Sequence, residues 1–153
     1  LQTNGAGVTT WAAAGSYRTL VTLTTDQTVG STTFEAVGDL TFAVTSGTTY
    51  RFQATIDYDS ALIGDGARWA LDGPTTSLLG YYVANTARAT SINTNFLVAY
   101  TAGTVSTSSL ASGNTAFMTG VLIPSANGTI TVMHASEGAS TITAKAGSTL
   151  EWW

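Results

Sequence analysis

The chain has 153 residues, of which 9% are charged, none is cysteine and 30 are threonine. A globular chain ordinarily carries about a quarter of its residues as Asp, Glu, Lys or Arg, so this surface must be covered by Thr, Ser, Gly, Ala and Asn, a composition suited to a subunit packed against copies of itself and poorly suited to catalysis. Absent cysteine removes disulfides and Cys-based zinc, a net charge of −4 with Arg18, Arg51, Arg68, Arg88 and Lys145 scattered singly removes nucleic acid as a partner, and no apolar run reaches the roughly 18 residues of a membrane helix.

Residues 1–15 (LQTNGAGVTTWAAAG) differ from the rest. They predict a strand stub, an Asn-Gly turn, a second short strand ending at Trp11 and an Ala/Gly linker. Such a segment cannot bury Leu1, Val8 and Trp11 alone, so these three are assigned to an anchoring arm or the end of a stalk. The start at Leu1 rather than Met is expected of a processed product or the C-terminal piece of a longer chain. Residues 16–153 form one domain of ordinary size.

Within that domain the period is two. Residues 17–25 (YRTLVTLTT) place Val21 and Leu23 between threonines, and residues 39–44 place Leu40, Phe42 and Val44 on one face. Ser46-Gly47 predicts a hairpin turn beside that strand. The clearest case is 48–58 (TTYRFQATIDY), where Tyr50, Phe52, Ala54, Ile56 and Tyr58 alternate with Arg51, Gln53, Thr55 and Asp57. Further short strands are expected at 68–71, 78–83, 95–100, 116–123, 129–135, 141–145 and 149–153, each bounded by turn residues. Asn127-Gly128 predicts a type I′ hairpin, and 101–114 a long surface loop. Short helices within 60–67 or near 86–93 are the alternative there. About ten antiparallel strands at this spacing predict an all-β sandwich or barrel.

Chemistry is scarce. His134, the one histidine, falls on the face of Ile130 and Val132, where a core or interface role outweighs that of a catalytic base. Asp57, Asp59 and Asp65 are the one carboxylate concentration; as Ca²⁺ ligands they miss the EF-hand spacing, as a glycosidase pair they need a cleft, and a solvated loop is the plainer reading. Isolated glycines explain turns and bulges rather than a phosphate loop. Asn127-Gly128-Thr129 fits the glycosylation pattern, though a tight turn is sufficient. Trp69, Tyr81, Tyr82, Phe96 and Tyr100 are candidates for a ligand-facing aromatic platform, weighed against the commoner core role. Arg51 and Arg68 are candidates to pair with Asp57, Asp59 or Asp72 across a subunit contact, weighed against isolated solvated arginines.

Residues 40–44 and 47–52, Ala67 to Pro74 (ARWALDGP), Ile123 to Thr129 (IPSANGT) and Ile142 to Trp153 (ITAKAGSTLEWW) resemble a β domain of tailed-bacteriophage virion proteins, trimeric jelly-roll knobs of capsid decoration proteins or fibre tips. The resemblance implies a jelly-roll-like sandwich, a homotrimer, other virion proteins as partners, a host surface glycan or protein as a further partner, and a place on the virion exterior. It brings no catalytic residues and no cofactor. Leu150, Trp152 and Trp153 are expected at the oligomer interface, since two tryptophans at a free end would make a costly apolar patch. A decoration protein binding the shell through residues 1–16, and a secreted carbohydrate-binding module, are the alternatives.

Overall fold

The computed structural model describes residues 2–3, 9–10, 18–87, 91–102, 109–138 and 140–153, with the backbone alone at 2–3, 9–10, 87 and 91–93. Leu1, Val8, Trp11 and Arg88 lie outside the described residues. The described chain is all-β, two antiparallel sheets packed as a sandwich, with no helix among the described residues. The two-residue alternation builds it.

The first strands, β1 (Gln2–Thr3) and β2 (Thr9–Thr10), pair with each other. The large sheet comprises β3 (Thr19–Thr22), β4 (Gln27–Val29), β6 (Tyr50–Ser60), β8 (Thr76–Ala87), β9 (Ser91–Leu97), β10 (Asn114–Pro124), β12 (Ile142–Ala144) and β13 (Thr149–Trp152). Its order is β3-β13-β6-β10-β8-β9, with β12 between β4 and β6. The small sheet is β5 (Glu35–Val44), β11 (Gly128–Ser136) and β7 (Ala67–Asp72), in the order β5-β11-β7. The last strand, β13, lies between β3 and β6, and the chain changes sheet on either side of β5, of β7 and of β11.

On β6 the side chains of Phe52, Ala54, Ile56 and Tyr58 are fully buried while Arg51 and Asp57 are exposed. Leu40, Phe42 and Val44 of β5, Trp69 and Leu71 of β7 and Ile130 and Val132 of β11 face them across the sandwich. Each such aliphatic or aromatic side chain removed from water contributes about 1.5–3 kcal/mol. Rings lock the layers together: Trp152 of the large sheet stacks on Phe42 of the small one at 5.0 Å, and Tyr58 meets Trp69 at 5.4 Å.

Two predicted hairpins are cross-sheet connections instead. β5 and β6 belong to different sheets, because each needs the other's apolar face as its cover; Phe42 and Tyr50 meet at 5.9 Å. Likewise β10 and β11 part company at 125–127, and neither Asn127 nor Gly128 has the positive φ of a type I′ turn. Asn127 serves another purpose. Its Oδ1 accepts from Ser46 N at 2.9 Å, and Gly47 N, at φ +76°, donates to Pro124 O at 2.8 Å, so the two crossings brace each other.

Neither alternative helix forms among the described residues: 61–64 is a turn, and β8 runs into β9 as an antiparallel pair. The 101–114 stretch is not wholly superficial either. Ser109 is buried 3.3 Å from the Tyr58 hydroxyl, and Asn114, already in β10, donates to Leu110 O and Tyr58 O.

At the same end of the sandwich, where Gly64 N donates to Ser109 O at 3.2 Å, Asp65 in the β6–β7 connection is buried and gathers the β11–β12 connection. It accepts from Ser136 Oγ at 3.0 Å, Gly138 N at 2.7 Å and Ser140 N at 3.0 Å. Burial alone would raise its carboxyl pKa, but donors from Ser140, Ser136 and Gly138 outweigh that and hold it below the usual range. Its contribution is therefore present above the ordinary carboxylate pKa and is lost as pH falls through the lowered one. Asp65→Ala, which strands three donors, is expected to cost about 3 kcal/mol in urea unfolding; a loss under about 0.5 kcal/mol would show the clamp to be dispensable.

Candidate functional site

Because β6, β10, β8 and β9 pair in register, the residues that alternation turns away from the core line up in rows across the outer face of the large sheet. One row runs Leu20, Glu151, Gln53, Thr119, Tyr82, Phe96. Beside it Arg51 lies opposite Val121, and Val121 opposite Gly80. Trp153 joins that second row by exchanging both backbone hydrogen bonds with Arg51.

Of nine exposed large hydrophobic side chains among the described residues, seven belong to this face or its margin: Leu20, Leu78, Tyr82, Phe96, Val98, Phe117 and Trp153. Leu62 and Ile63, in the β6–β7 connection, are the other two. Among the described residues no other surface gathers as many exposed apolar side chains, and such a concentration marks a contact surface.

An open groove of about 480 Å³ crosses β10, β8 and β9 here. Its floor is Val121 and Gly80, its walls are Leu78 and Val98 on one side and Tyr82 with Phe96 on the other, and Arg51 stands at one end. The two rings meet at 4.9 Å with 50° between their planes, forming a corner rather than a flat strip. Tyr82 is 51% and Phe96 56% exposed, so both ring faces are open to a ligand.

Glycines make the groove. A Cβ on Gly80 would lie 3.2 Å from Phe96 Cζ, so the ring leans over the bare backbone. A Cβ on Gly120 would meet Gly80 O and Tyr81 Cβ at 2.5 Å, which allows β10 and β8 no side chain between them at that point.

The other aromatic candidates are elsewhere. Trp69 and Tyr81 are fully buried in the core, and the Tyr81 hydroxyl accepts from Leu71 N at 3.3 Å and donates to Ala99 O. Tyr100 is half-buried at the edge of the core, its hydroxyl without a partner and its pKa pushed to about 12 by burial and the neighbouring Asp72 and Tyr81. Tyr81 and Tyr82 are adjacent, so a strand can turn just one of them outward. The same holds at the C-terminus: Leu150 and Trp152 are occupied in the chain's own sandwich, leaving Trp153 exposed under the Arg18 guanidinium at 4.3 Å.

The carboxylates do not converge. Asp57 accepts from Thr115 Oγ1 at 2.9 Å, Asp59 lies 3.6 Å from Lys145 Nζ, and Asp65 is saturated in its clamp. No group of three His, Cys, Asp or Glu among the described residues could hold a metal ion. Lys145 also binds Asp26, fixing the break where β3 gives way to β4 and β12 to β13. Within the chain Arg68 donates to Thr32 O and covers the Phe34 ring, and Asp72 accepts from Gly73 N.

His134 is buried in the small sheet, 5.8 Å from Trp69 in a stacked arrangement, with Nδ1 unpartnered. It faces no groove. Burial lowers its pKa to about 4, so it stays neutral in the fold.

No protein-family model, no curated protein and no solved structure matches this chain; its functional reading rests on the groove and the face around it. Leu78, Val98, Phe117 and Gly80 were not singled out by the sequence. For Leu78 and Gly80 the signal was the run 78–83 (LLGYYV), apolar at both parities, in a strand that can bury just one of its faces in the core.

The lowered His134 pKa sets a pH window. Between about 6.5 and about 4 the unfolded chain takes up a proton that the folded one refuses, so stability falls as pH drops through that range and levels below it, by ~3 kcal/mol at most. Thermal melts from pH 7 to pH 4 should show this slope, and His134→Phe should flatten it; an equal slope in the variant would place its origin in other groups.

Proposed function

We propose that the chain is a non-catalytic attachment module of a virion exterior, a jelly-roll-like β-sandwich that grips a saccharide in the groove on its large sheet. The observation that carries this reading is the groove itself: an open trough with two exposed aromatic rings, a glycine floor and polar Thr119 beside it. Sugar rings present C–H faces that stack on aromatic side chains while their hydroxyls need hydrogen-bonding neighbours, and a concave apolar site with a few polar groups supplies both. The open shape suits a polymer that passes through rather than a small molecule that must be enclosed. The virion setting is supported by the resemblance of residues 16–153 and by the charge-poor, threonine-rich surface.

Calorimetric titration with a panel of bacterial surface oligosaccharides tests it. Tyr82→Ala should weaken binding about tenfold or more. Gly80→Val, which fills the floor while the exposed Phe96 ring shifts aside, should abolish it without loss of fold. Undiminished binding by Gly80→Val would move the ligand elsewhere, and no binding by any saccharide would remove the reading.

Self-association has its own observation. Leu20, 59% exposed on edge strand β3, and Trp153, next to Arg51, are exposed apolar side chains at the β3–β13 margin of the same face. Packing this margin against copies about a threefold axis closes without a free end and leaves the groove outward. Light scattering at micromolar concentration should give the trimer mass, and Leu20→Asp with Trp153→Ala should yield monomer. A wild-type monomer under those conditions would exclude the homotrimer.

A further inference from the structure

We propose that the saccharide held in the groove is an acidic one, its pyranose ring resting in the Tyr82–Phe96 corner and its carboxylate received by Arg51. This rests on the groove being a saccharide site. The argument begins with charge. Arg51 is the one ionisable group of fixed charge in the groove lining, and it makes no ion pair or side-chain hydrogen bond among the described residues. The other described cations are occupied: Arg18 by Glu151 at 3.0 Å, Lys145 by Asp26 and Asp59, Arg68 by Thr32 O and Phe34.

The nearby acids are occupied as well. Glu151, in the adjoining row, is held by Arg18, and among the described residues no carboxylate is paired with the Arg51 guanidinium. In a chain of net charge −4, a cation left free at the end of an apolar trough is a specific exception rather than part of a basic field. Its planar fork matches the two oxygens of a carboxylate.

The remaining polarity fits a sugar rather than a bare acid. Thr119 Oγ1 donates to Phe52 O at 3.2 Å, which fixes its proton and leaves its lone pairs turned to the groove as acceptors for a ligand hydroxyl. A single guanidinium with net negative charge around it does not suit a polyphosphate backbone. A peptide ending in a free carboxylate would use Arg51 equally well but has no use for the open, two-ended trough.

The test compares oligomers of galacturonic, glucuronic and sialic acids with the same oligomers after reduction of their carboxyl groups to alcohols. At low salt, at least one acidic oligomer should bind about tenfold or more tightly than its reduced form. Arg51→Gln should cost the acidic oligomer about tenfold more affinity than it costs the reduced one, and Arg51→Lys should cost it less than Arg51→Gln does. Arg51 is exposed, so these variants keep the fold. Equal binding of acidic and reduced oligomers overturns the carboxylate assignment and leaves the groove as a neutral-saccharide site. Failure of both forms throughout, or binding that Gly80→Val does not affect, overturns the groove reading with it. Tighter binding by an apolar peptide with a free C-terminus than by any acidic saccharide also overturns the assignment.

Discussion

Everything in this molecule depends on a strand having two faces and no third. Once Phe52, Ala54, Ile56 and Tyr58 are committed to the core, Arg51, Gln53, Thr55 and Asp57 have no freedom to be elsewhere than outside. Antiparallel register, continuous between β10 and β8 from Asn114 to Ile123, then carries that decision from β6 to β10, β8 and β9, so the groove is the reverse side of the core rather than a feature added to it. Packing energy therefore positions Arg51, Thr119, Tyr82 and Phe96 although none of them is in the core.

Strands were legible because their signal is local, whereas partners were not. Residues 48–58 announce β6 through their own alternation, and Ser46-Gly47 and Asn127-Gly128 announce reversals of the chain. A reversal does not say which sheet the next strand joins. That is set by the need of each apolar face for a cover, and it sends β5 to β6 and β10 to β11 across the sandwich. The bonds that brace the connections, Ser46 to Asn127 between β5–β6 and β10–β11 and the Asp65 clamp between β6–β7 and β11–β12, join residues about 70 to 80 positions apart. No window of sequence contains both ends.

The site was half legible for the same reason. Alternation already required that one of Tyr81 and Tyr82, and one of Trp152 and Trp153, point away from the other. Which one points outward follows from the core partner, Phe42 for Trp152 and the Leu71 amide for Tyr81, and those contacts are long-range. Runs such as 78–83, apolar at both parities, carried more information than the single aromatics, because a strand with two apolar faces has a second surface that water does not satisfy. Trp69 looked like a platform residue by composition alone; its place between Tyr58 and His134 belongs to inter-sheet packing.

Low charge has a different meaning at each scale. Across the whole chain it thins the charged coat that keeps sheet edges apart, which places weight on short edges such as β3 and β4. Around the groove it makes a single guanidinium decisive, because with so few acids on the face nothing neutralises it in the absence of a ligand. A chain with an ordinary complement of carboxylates would have paired Arg51 internally, and the trough would then be merely apolar. Scarcity of charge, which at first argues against chemistry of any kind, is thus what gives one remaining cation the capacity to select.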